Sequence, residues 1–218
     1  MEIKNLENII AEFKSKSSPT DRYTSFDYCY NYFRTTENFN QDIEKSCLVL
    51  GFYLASWGML RGSSFLLQKS VKHFQKLIEY YSKLNDDIWK IDIDNYNVQS
   101  NEKIIEIYTK TKEIIITEDN SHLTLITKIL LGVFGFIPAY DKYFCKTFSE
   151  LYKGKCGFSV VNDNSLNCLK EFYESNKKKI DNLSNKTFTK DFLTGKKTTI
   201  NYPKAKIIDM FGFTNGLK

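Results

Sequence analysis

Hydrophobic positions recur at helical intervals along most of this chain. Near the start, Ile3, Leu6, Ile9, Ile10 and Phe13 are three or four residues apart, which predicts an amphipathic helix over 3–15. After the turn SSPTD, FDYCYNYF predicts an aromatic-rich helix from about Tyr23 to Arg34. Asn40-Gln-Asp-Ile-Glu offers a capping residue and early acids. It opens a stretch, CLVLGFYLASWGML, with almost no charge, the expected central buried helix. Arg61-Gly-Ser-Ser marks a break, after which FLLQKSVKHFQKLIEYYSKL resumes a helical pattern.

Residues 85–98, NDDIWKIDIDNYNV, read as a polar loop, and EKIIEIYTKTKEII reads as a further helix over 101–115. Leu125, Ile126, Ile129, Leu130, Val133 and Phe134 predict a helix apolar on most of its surface, stopped by Pro138. New helices follow from Asp141 to Tyr152 and over 165–181. TFTKDFLTGKKTTINY, 187–202, alternates around Thr-Gly and predicts one short hairpin. Pro203 then opens a last helix, AKIIDMFGF. The expected fold is an all-α single domain, 1–218, of eight to ten helices, with a helical segment at 1–20 and an appendage at 185–218.

Composition narrows the function classes. Apolar residues are 42% and aromatics 15%, enough to fill a core. The formal charge of +5 permits a polyanionic partner without requiring one. The five cysteines form no C-x-x-C pair, and only two histidines are present, so no metal site or other cofactor is expected. No run of about 18 apolar residues occurs, and the start lacks a signal-peptide layout, so the expectation is a cytoplasmic protein without a membrane span.

The candidate chemistry centres on TKILLGVFGFIPAYDKYF, 127–144, where an apolar run ends at Asp141 between Tyr140 and Tyr143. The plain reading makes Asp141 a helix N-terminal carboxylate favoured by the dipole. The functional reading gives it positive charge to stabilise on a sugar, as glycosidic cleavage requires. Upstream, SWGMLRG places Trp57 and Arg61 four apart, on one face if the helix persists. There Trp57 stacks a flipped base in a pocket completed by Tyr140 and Tyr143 while Arg61 grips a phosphate or base edge, or else Trp57 is core and Arg61 pairs with Asp27 or Glu44. Asp27, the one acid in YTSFDYCYNYF, is the second candidate carboxylate and a candidate for the base pocket. Lys142 and Lys146 after the aspartate, and Lys204 and Lys206 near the end, are candidate phosphate contacts. Asp92 and Asp94 fit a solvated loop.

The order of helix, Lys128, glycines, Pro138 and Asp141 resembles the catalytic region of the helix-hairpin-helix DNA glycosylases. TK-I-LL-G-VFG-F-IPAYD together with the upstream W-G-M-x-R also looks like small bacterial glycosylase-like proteins of unassigned function. The resemblance spans residues 45–150 at most. It implies an all-α domain that presents Asp141 as the catalytic carboxylate, with Lys128 as a nucleophile on the preceding helix, and DNA as partner. The expected function is thus a glycosylase-like protein that extrudes a base, modified or not, in repair or in antiviral defence. The alternatives are a non-catalytic helical module binding DNA or protein in a defence or toxin–antitoxin system, and a small-molecule binder with an aromatic cavity.

Overall fold

The computed structural model describes residues 2–62, 64–117 and 121–218. Among these, nine helices and one two-stranded antiparallel sheet make a mostly α-helical single-domain fold. The helices are α1 (Leu6–Lys14), α2 (Ser25–Thr35), α3 (Ile43–Ser56), α4 (Gln75–Tyr81), α5 (Val98–Ile115), α6 (Leu123–Val133), α7 (Lys142–Leu151), α8 (Asp163–Lys186) and α9 (Lys204–Gly216). The hairpin, β1 (Phe188–Lys190) and β2 (Lys197–Asn201), lies within the expected 187–202. No helix of the described residues is long and apolar enough to cross a membrane. The cysteines are unpaired.

The helical pattern locates most elements but misjudges which are central. Every residue from Leu125 to Val133 of α6 is buried, and so is every residue from Ala205 to Thr214 of α9. The helix expected at the centre, α3, packs against α2, α4 and α6 while leaving Phe52 72% and Leu48 50% exposed. The segment expected as an appendage instead supplies the innermost helix, with α7, α1 and α8 packed around it. An apolar sequence lacking charges is thus compatible with a half-exposed helix, whereas α9 buries even Lys206 and Asp209 by pairing them.

Two acids build the frame at long range. Asp92 is a buried cap, not the solvated loop acid expected from KIDIDNY: it accepts hydrogen bonds from Lys204 N at 2.7 Å and Ala205 N at 2.9 Å. These satisfy donors in the first turn of α9, where Pro203 brings no side-chain cap. Its neighbour Asp94 pairs with Lys204 at 3.0 Å. Asp27, on α2, accepts from Lys190 N at 3.0 Å and from the Tyr202 hydroxyl, fastening both ends of the hairpin to the helix. Asn31, one turn on, donates to Lys190 O at 2.8 Å and accepts from Thr189 Oγ1 at 2.6 Å.

Candidate functional site

The segment that follows α6 folds back along it, and two threonines hold it there. Thr127 Oγ1 accepts from Tyr140 N at 2.9 Å, and Thr124 Oγ1 donates to Tyr140 O at 2.9 Å. From the far side, Asp209 Oδ1 accepts from Ala139 N at 3.0 Å. Lys128 follows Thr127 and Asp141 follows Tyr140, so the same clasp brings this cation and this anion together. Lys128 Nζ lies 3.1 Å from Asp141 Oδ2, with side chains only 6% and 12% exposed. Asp141 is also the N-cap of α7, its Oδ1 accepting from Tyr143 N at 3.1 Å and Phe144 N at 3.0 Å. Both carboxylate oxygens are therefore engaged.

The pair forms part of the wall of an open cleft of about 510 Å³. Trp57, Arg61, Lys128, Asp141, Lys142 and Tyr143, six of the residues singled out in the sequence, line it. Arg22, Thr124 and Phe213 line it too, with no local sequence signal to mark them. Arg22 lies in the turn before α2, and Phe213 reaches the cleft because α9 is central. Four cations, Arg22, Arg61, Lys128 and Lys142, face one carboxylate, so the cleft favours an anionic ligand.

Trp57 is the most contacted ring of the site. Tyr23 stacks on it at 5.3 Å between centroids and 12°, and Phe213 meets it edge-on at 5.7 Å. The ammonium groups of Lys128 and Lys206 lie 4.8 Å and 5.3 Å from its centroid, an arrangement favoured by the ring quadrupole. Its buried Nε1–H has no hydrogen-bond partner among the described residues. Tyr23 occupies one face of the indole, so a stacked base is left the other face.

Arg61 is in the cleft for a reason other than helical spacing. The helix ends at Ser56, and Gly58 has φ +74, a conformation that side chains with a Cβ rarely adopt. Arg61 then folds back over Gly58, where an added Cβ would lie 2.6 Å from its Nε. It pairs with neither Asp27 nor Glu44, and no carboxylate partner exists among the described residues. Because the side chain is exposed, water solvates it and no protein partner is needed.

The structure removes five other candidates from the cleft. Asp27 is 1% exposed beneath the hairpin, and burial pushes its carboxyl up to about 6 despite bonds from Tyr202 and Lys190 N. Tyr140 is buried against Phe144 and Phe158 rather than lining a base pocket. Lys206 is 1% exposed and paired with Asp209 at 2.7 Å, so it cannot touch a phosphate. Lys204 is tied to Asp94. Lys146 is exposed but lies beyond the cleft lining, with Nζ 3.4 Å from Gly216 O. Among the described residues no group of three or more His, Cys, Asp or Glu is arranged to hold a metal ion. No protein-family model, curated protein or solved structure matches the chain.

Proposed function

We propose that this protein binds DNA, takes an extruded nucleotide into the cleft, and cleaves its N-glycosidic bond with the Lys128–Asp141 pair. The observation that carries this reading is the convergence of four cations, one carboxylate and the rings of Trp57, Tyr143 and Phe213 on one cleft. Phosphate oxygens suit Arg22, Arg61 and Lys142, and an unpaired base suits the aromatic wall. Asp141 does not act as a lone carboxylate here, because Lys128 offsets its charge. The pair acts jointly instead.

A nucleotide filling the cleft displaces water and penalises both charges, which favours proton transfer from Lys128 to Asp141 and a neutral pair. The amine of Lys128 then attacks C1′ as the C1′–N bond to the base breaks. The departing base takes that bond's electron pair and the proton from the Asp141 carboxyl. The adduct's nitrogen returns a proton to Asp141, restoring the carboxyl. The nitrogen's lone pair then forms C1′=N as the C1′–O4′ bond breaks and O4′ takes a proton from water, leaving the iminium that borohydride reduces. The role is repair of the cell's own DNA or attack on modified foreign DNA, according to the base accepted.

The test is a panel of duplexes with ordinary, damaged, hydroxymethylated and glucosylated bases, incubated with and without borohydride. Wild type is expected to release a base and give a trapped covalent adduct, and Lys128→Met to give neither. An abasic strand without adduct would replace amine attack by attack of water. One observation favours a second reading, a DNA-binding module without chemistry: every oxygen of the Asp141 carboxylate is already engaged. Salt-sensitive binding with no base released from any duplex selects that reading.

A further inference from the structure

The hairpin tip is the most exposed apolar point on the described surface. Phe192 is 72% exposed and Leu193 89%, side by side in the turn between β1 and β2. The turn is rigid: Asp191 Oδ1 accepts from Thr194 N at 2.8 Å and from Thr194 Oγ1 at 2.7 Å. Gly195, at φ +65, lets its N–H reach Asp191 O at 2.9 Å. Presenting two apolar side chains on a fixed loop costs little ordering entropy when they insert into something.

The surroundings of the tip are cationic. Lys190 and Lys197 are cross-strand partners, and like charges directly opposite destabilise a hairpin. Lys196 next to them is exposed, Asp191 is the acid of the turn, and Lys14 lies toward the base of the hairpin, with Nζ 3.4 Å from Thr187 Oγ1. Burial and the nearby charges of Lys197 and Lys190 hold the Lys14 ammonium below its ordinary value. Such crowding of like charge is relieved by a polyanion.

The tip is also beside the cleft. A Cβ on Gly195 would lie 3.0 Å from Pro19 Cγ, and Arg22, which lines the cleft, is the third residue after Pro19. Three residues span at most about 10 Å, roughly three base-pair rises. That separation is within the length of one duplex.

We infer that the hairpin tip is a DNA wedge, with Phe192 and Leu193 entering a base step next to the nucleotide taken into the cleft, while Lys196 and Lys197 hold the flanking phosphates. This rests on the reading of the cleft as a nucleotide site and adds to it the surface that opens the stack. The probe is a duplex carrying 2-aminopurine, whose fluorescence rises on unstacking. Phe192→Ser/Leu193→Ser should abolish the rise and weaken binding about tenfold or more. Circular dichroism should not change and melting should fall only slightly, because both side chains are exposed and Phe192 gives up an edge-on contact with Tyr28. Lys196→Gln/Lys197→Gln should keep the rise and lower the slope of log affinity against log salt by about 1.8. Unchanged fluorescence and affinity in the tip variant overturn the wedge. So does tip-dependent binding to phosphatidylserine vesicles with no effect on DNA. Wild type that unstacks 2-aminopurine but releases no base supports the wedge and overturns only the cleavage step.

Discussion

Asp141 combines two tasks that are usually separate, capping a helix through one oxygen and neutralising a buried lysine through the other. Asparagine caps about as well as aspartate, so Asp141→Asn isolates the second task. It leaves the ammonium of Lys128, whose side chain is 6% exposed, without its counter-charge. Removing one partner of a buried pair costs about 3–5 kcal/mol. Lys128→Met costs less, because the carboxylate keeps two backbone donors and sits at a helix N-terminus that favours negative charge. The double variant Lys128→Met/Asp141→Asn should therefore recover stability relative to Asp141→Asn alone. Urea denaturation of the four proteins measures this directly. Additive losses would mean that the two side chains do not share their energy, and the pair would lose its standing as a unit.

At the scale of elements, Asp27 shows how a buried carboxylate holds a hairpin on a helix and makes that joint sensitive to pH. Burial raises its carboxyl from an ordinary 3.8 to about 6, against the pull of Tyr202, the Lys190 N–H and the Lys206 charge. Between those values the folded chain holds a proton that the unfolded chain has released. Stability from this group is thus greatest below about 4, falls as pH rises toward about 6, and is level above. Asp92 also lies at about 6, so wild type alone would mix two groups. The difference between wild type and Asp27→Asn cancels Asp92. That difference should move in favour of wild type by the order of 3 kcal/mol as pH falls from 7 to 4. Denaturation midpoints across that range check it, and a flat difference would place the titration elsewhere.

These elements also mark where local pattern stops being informative. The hairpin was legible because alternation and a Thr-Gly turn are local signals, and α6 was legible from its spacing of Leu, Ile and Val. The joint under Asp27 was not, since its partners lie 163 and 175 residues away. Asp92 caps α9 across 112 residues, and nothing in KIDIDNY distinguishes that from a solvated loop. Trp57 and Arg61 were joined by a helical spacing that ends at Gly58, yet the turn that breaks the helix delivers both to the cleft. Lys128 and Asp141 were legible as residues but not as a pair, because a threonine clasp between two chain segments brings them together.

Over the whole molecule, the excess of +5 matters less than which cations are free to meet a partner. Lys206 and Lys128 are buried in pairs, and Lys204 is tied to Asp94. Arg22, Arg61 and Lys142 are exposed and line one cleft. If DNA occupies that cleft, these three carry its phosphate contacts, and each phosphate neutralised contributes about 0.9 to the slope of log affinity against log salt. Arg22→Ala and Arg61→Ala should each lower that slope by about 0.9 and shift the melting temperature little. Both are exposed, neither forms an ion pair among the described residues, and Arg22 gives up cation–π contacts with Tyr23 and Trp57. Lys206→Ala should do the reverse. It strands Asp209 in the core and lowers the melting temperature, while any folded fraction keeps the wild-type slope. Fluorescence anisotropy with a labelled duplex at several salt concentrations, beside thermal melting of each variant, separates the two groups. An Arg61→Ala protein with the full wild-type slope would remove the cleft from the DNA-binding surface.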